Sequence, residues 1–202
     1  MGKFSIKKIS AICIMLCLVF TLAGCTSGEK NNSDAAATQK QVQKDESPSS
    51  KKEEKNNSEI KLNQEVTVDD VCTFSVQSAK FTTKVVPPKP NDFYTYYQIK
   101  DTNNVYIDII LKYKNLFSSA KSADEVGDIN VKYDNKYEYD SFSTIEKDGG
   151  GDFTYTNITN INPLKTSSLH YICELPKEAQ NDKKPVVATL KIEGKEYKLK
   201  IK

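Results

Sequence analysis

Cys72 and Cys173 each hold an apolar position in an alternating run, Cys72-Thr73-Phe74-Ser75-Val76 and Leu169-His170-Tyr171-Ile172-Cys173, so both thiols are expected to face a core. Two readings stay open. Bridged, they would close a loop of about 100 residues and stabilise the fold by about 4–5 kcal/mol through chain entropy. Unbridged, they would pack as small apolar side chains. They form no Cys-x-x-Cys arrangement, which argues against redox chemistry. His170 is the sole histidine, and beside Ser167 and Ser168 it invites a hydrolase reading. The sequence has no Gly-x-Ser-x-Gly elbow and no second His to support one. Alternation places His170 on the outward face of its strand, as a solvated side chain. One His with two inward cysteines makes no recognisable zinc set. Asp148-Gly149-Gly150-Gly151-Asp152 could offer carboxylates and carbonyls to Ca²⁺, but it lacks the alternating ligands and distal Glu of an EF-hand loop. A hairpin connection is its expected use. No catalytic residue, metal or cofactor is expected.

Pro87-Pro88-Lys89-Pro90 followed by Phe93-Tyr94-Thr95-Tyr96-Tyr97 is the most individual feature. Prolines stiffen an extended loop, and four aromatics in five residues exceed what one strand face buries. Read as a strand, the segment puts Phe93 and Tyr97 on one face and Tyr94 and Tyr96 on the other. Phe93 is the most apolar of the four, which assigns its face to the core. Tyr94 and Tyr96 are then the candidate partner-binding side chains, with ring faces suited to sugars or to an apolar patch of a protein. The alternative is a half-buried strand whose tyrosine hydroxyls simply reach water.

At the N-terminus Lys3, Lys7 and Lys8 flank an apolar stretch, Ile9 to Phe20, broken only by Ser10. It is long enough for a translocon and shorter than the ~20 residues of a membrane-spanning helix. Leu22-Ala23-Gly24-Cys25 follows. Small residues before the cysteine let a peptidase hold the backbone extended, and the thiol is the nucleophile for thioether formation with diacylglycerol. The tetrapeptide resembles the lipobox of bacterial lipoproteins at every position. That resemblance implies an export signal over 1–24, a lipid on Cys25, and a chain held by that lipid on the outer, extracellular face of the cell membrane.

All 29 basic residues are lysines. Without the planar fork of arginine, recognition of nucleic acid or phosphorylated ligands loses its best tool, and no nucleic-acid partner is expected. Removing the three signal lysines leaves 26 lysines against 27 acids, so no strong field steers a partner. Residues 25–60 begin with the lipidated cysteine and continue mostly as Ser, Asn, Gln, Lys, Asp and Glu, with three alanines, only Val42 and Ile60 as larger aliphatics and no aromatic side chain. Such a segment buries too little to offset its ordering entropy. It reads as a disordered linker with a reach of about 30–40 Å.

Residues 61–202 are long enough for one core and too short for two. Period-two alternation recurs at 66–68, 72–81, 105–113, 129–133, 137–142, 153–158, 169–175, 186–192 and 196–201, with turns at Asp134-Asn135-Lys136 and Glu193-Gly194-Lys195. One short helical turn fits near Ser119 to Val126. The fold class is all-β, an immunoglobulin-like antiparallel β-sandwich behind a lipoprotein signal and tether.

Tyr113-Lys114-Asn115, Val131-Lys132-Tyr133-Asp134, Asp152-Phe153-Thr154-Tyr155, Asn162-Pro163-Leu164, Leu175-Pro176-Lys177 and Ile192-Glu193-Gly194-Lys195-Glu196-Tyr197 mark strand ends and hairpins. In these steps the domain resembles uncharacterised Ig-like lipoproteins of clostridia and related Gram-positive bacteria. The resemblance implies fold and location and supplies no active site. The expected function is a non-catalytic binding or adhesion module for a protein or glycan of the cell envelope. A wall-acting enzyme or small-ligand carrier is the alternative.

Overall fold

The computed structural model describes residues 58–202. The export signal, Cys25 and the linker up to residue 57 lie outside the described residues.

Among the described residues fourteen strands follow one another: β1 (Ser58–Ile60), β2 (Val66–Val68), β3 (Cys72–Thr82), β4 (Lys84–Val85), β5 (Tyr97–Gln98), β6 (Asn104–Asn115), β7 (Lys121–Ser122), β8 (Gly127–Tyr133), β9 (Tyr137–Glu146), β10 (Phe153–Thr154), β11 (Asn160–Ile161), β12 (Thr166–Pro176), β13 (Val186–Ile192) and β14 (Lys195–Lys200). The expected turn near 119–126 is a 3-10 helix, Ala123–Glu125. One unanticipated α-helical turn, α1 (Glu178–Asn181), follows β12.

A single hydrogen-bonded path runs β1-β14-β13-β8-β9-β12-β6-β3-β2, with β10 added to β9. β9 folds this path into two layers. Its first half pairs with β8, Tyr137 opposite Tyr133 and Asp140 opposite Asn130. Its second half, Ser141 to Ile145, pairs with β12. The core lies between the layers. Leu111, Ile109, Leu169 and Tyr171 come from one side, and Ile129, Val131, Leu190 and Leu199 from the other. Phe74 and Tyr197 meet edge-on across it at 5.0 Å.

The hairpins close where the residues tolerate positive φ. Asp134 and Asn135 turn β8 into β9 at φ 55° each, and Glu193-Gly194 turns β13 into β14 at 50° and 74°. Two consecutive residues of this kind make the type I′ turn, whose twist matches that of paired strands.

The structure corrects the domain boundary. Ser58–Ile60, read from composition as linker, is a strand parallel to β14, and Ile60 is buried in the core. Its three residues are too short a window for alternation to register. They gain their order from the exposed edge of β14.

It also resolves the two readings of the cysteines. Both thiols are buried and free. Cys72 on β3 sits opposite Asn115 of β6, whereas Cys173 on β12 sits opposite Ile107 of the same strand. Eight residues of β6 separate those levels, about 27 Å of strand, far beyond disulfide reach. Burial pushes the Cys72 thiol up to about 11 and the Cys173 thiol up to about 12, so both behave as apolar side chains.

Candidate functional site

The layer made of β3, β6, β12 and the second half of β9 has a covered outer face. Residues 86–96, joined at their base by the β4–β5 ladder, form a strap associated with a second apolar cluster of Val85, Tyr106, Phe153 and Ile172, with Tyr97 and Ile99 against it. Three prolines remove donors from the strap, and several of its remaining amides find partners. Lys89 N–H donates to Gly150 O at 2.9 Å, Asn91 N–H to Gly151 O at 3.0 Å, and Thr95 N–H to Asp152 Oδ1 at 2.7 Å. The glycines are the seat. A Cβ on Gly150 would lie 2.9 Å from Pro88 Cγ, and one on Gly151 would lie 2.6 Å from the Asn91 amide. A side chain at Gly150 would push against the rigid Pro88 ring and so against the strap, whereas one at Gly151 would require the Asn91 side chain to turn away.

The carboxylates flanking those glycines are committed to lysines and amides. Asp148 pairs with Lys165 at 2.8 Å, and Asp152 with Lys147 at 2.7 Å. Lys147 and the Thr95 amide hold the Asp152 carboxyl well below the usual carboxylate range. The segment connects β9 to β10, as its sequence suggests.

The strap's aromatics depart from strand alternation. Phe93, expected in the core, is 93% exposed. Residues 93–96 are not a strand, so period two does not apply to them. Tyr97, where the β5 ladder begins, does turn inward and packs on Phe142 at 5.0 Å and Phe153 at 6.0 Å. Tyr96 is 52% exposed and Tyr94 half-buried. Their rings meet edge-on at 6.2 Å, and Lys84 Nζ lies 4.3 Å from the Tyr96 centroid and 6.0 Å from that of Tyr94.

His170 is the larger correction. It does lie on the outward face of β12, but it is 2% exposed and not solvated. Nδ1 is 2.9 Å from Asp108 Oδ1, Nε2 is 3.0 Å from Glu146 Oε1, and Phe153 stands edge-on to the ring at 4.9 Å. The register produces this trio. The direct cross-strand partners of His170 are Ile110 on β6 and Thr144 on β9. Asp108 and Glu146 are two residues further along, at the diagonal positions long side chains reach. Burial opposes the charge on the ring, but two hydrogen bonds and two carboxylates outweigh it and raise the pKa to about 9. As an imidazolium the ring donates from both nitrogens, and neither is left to take a proton from Ser167 or Ser168.

Asp108, Glu146 and Lys84 escaped attention in the sequence. A signal was present: Tyr106, Ile110 and Ile172 fall at outward positions of their strands, and apolar residues on an outer face imply a cover.

No protein-family model matches the chain, and no curated protein does. Solved structures do. A candidate lipoprotein of Bacillus subtilis, 10% identical with a TM-score of 0.37, aligns over 68% of this chain and 38% of its own. A conserved hypothetical protein of Bacillus anthracis is 15% identical, with a TM-score of 0.48 over 70% of this chain and 94% of its own. Both likenesses are too distant to carry an argument. An uncharacterised β-sandwich protein of Clostridium difficile is 30% identical over 75% of this chain, with a TM-score of 0.68. The match takes in 99% of the Clostridium difficile chain, so the present chain belongs to that β-sandwich protein's family.

Proposed function

We propose that the protein is a lipoprotein on the outer face of the cell membrane, anchored through Cys25, whose β-sandwich binds a protein or glycan of the cell envelope without catalysis. The observation that carries this reading is the strap. It holds Phe93 at 93% exposure and Tyr96 at 52% on a backbone clamped to Gly150, Gly151 and Asp152. Exposed large aromatics on a preorganised backbone lose little entropy when a partner covers them. The anchor rests on the Leu22-Ala23-Gly24-Cys25 step. Among the described residues no helix is long and apolar enough to cross a membrane. Against a hydrolase stands His170, whose two nitrogens are both engaged by carboxylates.

Two measurements test the reading. Cys25→Ala should move the protein from the membrane fraction to the medium, and retention of that variant would sink the anchor. The full chain should retain an envelope component from wall extracts that the Phe93→Ser/Tyr96→Ser variant does not. Equal retention by both would remove the strap as contact surface.

A further inference from the structure

We infer that the partner of the strap is an anionic glycan, a chain of sugar rings carrying carboxylate or phosphate. This deepens the reading of the strap as contact surface and rests on it. Tyr94 and Tyr96 set two rings at 61° to each other, and the Lys84 ammonium lies at 4.3 Å over the second. Phe93, the residue before Tyr94, stands almost wholly in water. An ammonium on a ring face keeps N–H donors directed outward. Lys84 is exposed, and among the described residues no carboxylate comes within ion-pair distance of it. The platform therefore offers apolar ring faces for the C–H faces of a sugar, and one cation whose charge is not spent on an acid.

Footprint argues in the same direction. Three such side chains expose on the order of 300 Å², against about 800 Å² per partner in a stable protein–protein interface. A narrow polymer needs no more than this, since successive units of one chain engage successive platforms on a crowded surface. A neutral glycan would leave the cation without a role. A polyanion lacking rings would leave the aromatics without one.

The test measures binding of the full chain to four polymers of matched length: carboxymethyl-dextran, dextran phosphate, plain dextran and polyglutamate. One or both charged dextrans should bind more tightly than plain dextran and than polyglutamate, and should weaken as salt rises. The arm that binds better tells carboxylate from phosphate. Lys84→Gln should weaken the charged dextran about fivefold and leave plain dextran unchanged, and Tyr96→Ser should weaken both. Both side chains are solvent-facing, and unchanged thermal midpoints confirm folding. Should Tyr96→Ser unfold, the Lys84→Gln arm still decides. Polyglutamate binding as well as the charged dextrans, plain dextran binding as well, no effect of Lys84→Gln, or no binding to any polymer would each overturn the proposal. Strap-dependent retention of an envelope protein alongside such a result would overturn the glycan and leave the contact surface standing.

Discussion

Nε2 of His170 lies 3.0 Å from Oε1 of Glu146, one strand over and two residues beyond its direct cross-strand partner Thr144. With Asp108 on the other side, the ring ties β6, β12 and β9 together beneath Phe153. A buried cation between two partly covered carboxylates is costly to remove, because both anions then lose their counter-charge at a site that water reaches only in part.

The folded pKa of His170 is raised from 6.5 to about 9, so its contribution is fully present below about pH 6.5 and lost as pH rises through about 9. Denaturant titrations at pH 6, 8 and 10 should show the wild type losing about 3 kcal/mol more than His170→Gln across that range. At pH 7 the variant should be less stable by a similar amount. Parallel curves for the two proteins would mean the trio contributes no charge-dependent stability.

Gly150 and Gly149 both adopt positive φ, 75° and 89°, but only Gly150 meets a neighbour, Pro88. Each alanine variant pays the backbone strain, about 1 kcal/mol. Gly150→Ala should cost at least about 1 kcal/mol more, and should speed proteolytic cleavage within 86–96 as the strap lifts. Equal stability of the two variants would show that the strap does not depend on close approach to this glycine.

Phe93 and Tyr97 separate exposure from packing within one segment. Phe93→Ser should leave stability within about half a kcal/mol. Tyr97→Ser removes a ring packed on Phe142 and Phe153 and should cost about 2 kcal/mol. Thermal or chemical denaturation of the two variants checks the order, and a reversed order would place the strap's packing face wrongly.

The boundary has its own test. A chain beginning at Ser58 keeps β1 and the buried Ile60, and one beginning at Lys61 loses both. The shorter chain should be less stable by about 2 kcal/mol, the burial of one isoleucine with the loss of a three-residue ladder. Matching denaturation midpoints would return residues 58–60 to the linker.

Local chemistry was enough for the long strands but not for the short ones: 153–158, expected as one strand, is a strand only at Phe153–Thr154 and turns into a 3-10 helix over Thr156–Ile158, and the two- and three-residue strands β1, β4, β5, β7 and β11 leave no alternation to read. Alternation at Val131 and Tyr133, at Leu169 and Tyr171, and at Tyr197 and Leu199 reflects a layer with one buried face, and the signal lies within a few residues of chain. The turns at Asp134-Asn135 and Glu193-Gly194 were legible for the same reason, since positive φ selects particular residue types. What alternation cannot express is a second cover. His170, Asp108 and Glu146 lie far apart in sequence and become neighbours only through the register of β6, β12 and β9. Outward position means solvent only if nothing lies outside, and here Phe153 of β10 stands over the ring. The strap's own path is decided at Gly150 and Gly151, where backbone amides of 89 and 91 dock, a long-range pairing that leaves Phe93 in water and Tyr97 half-buried against Phe142 and Phe153. The cysteines follow the same rule. Their inward positions were readable one strand at a time, but their opposite ends on β6, and hence the absence of a bridge, are a property of strand pairing alone.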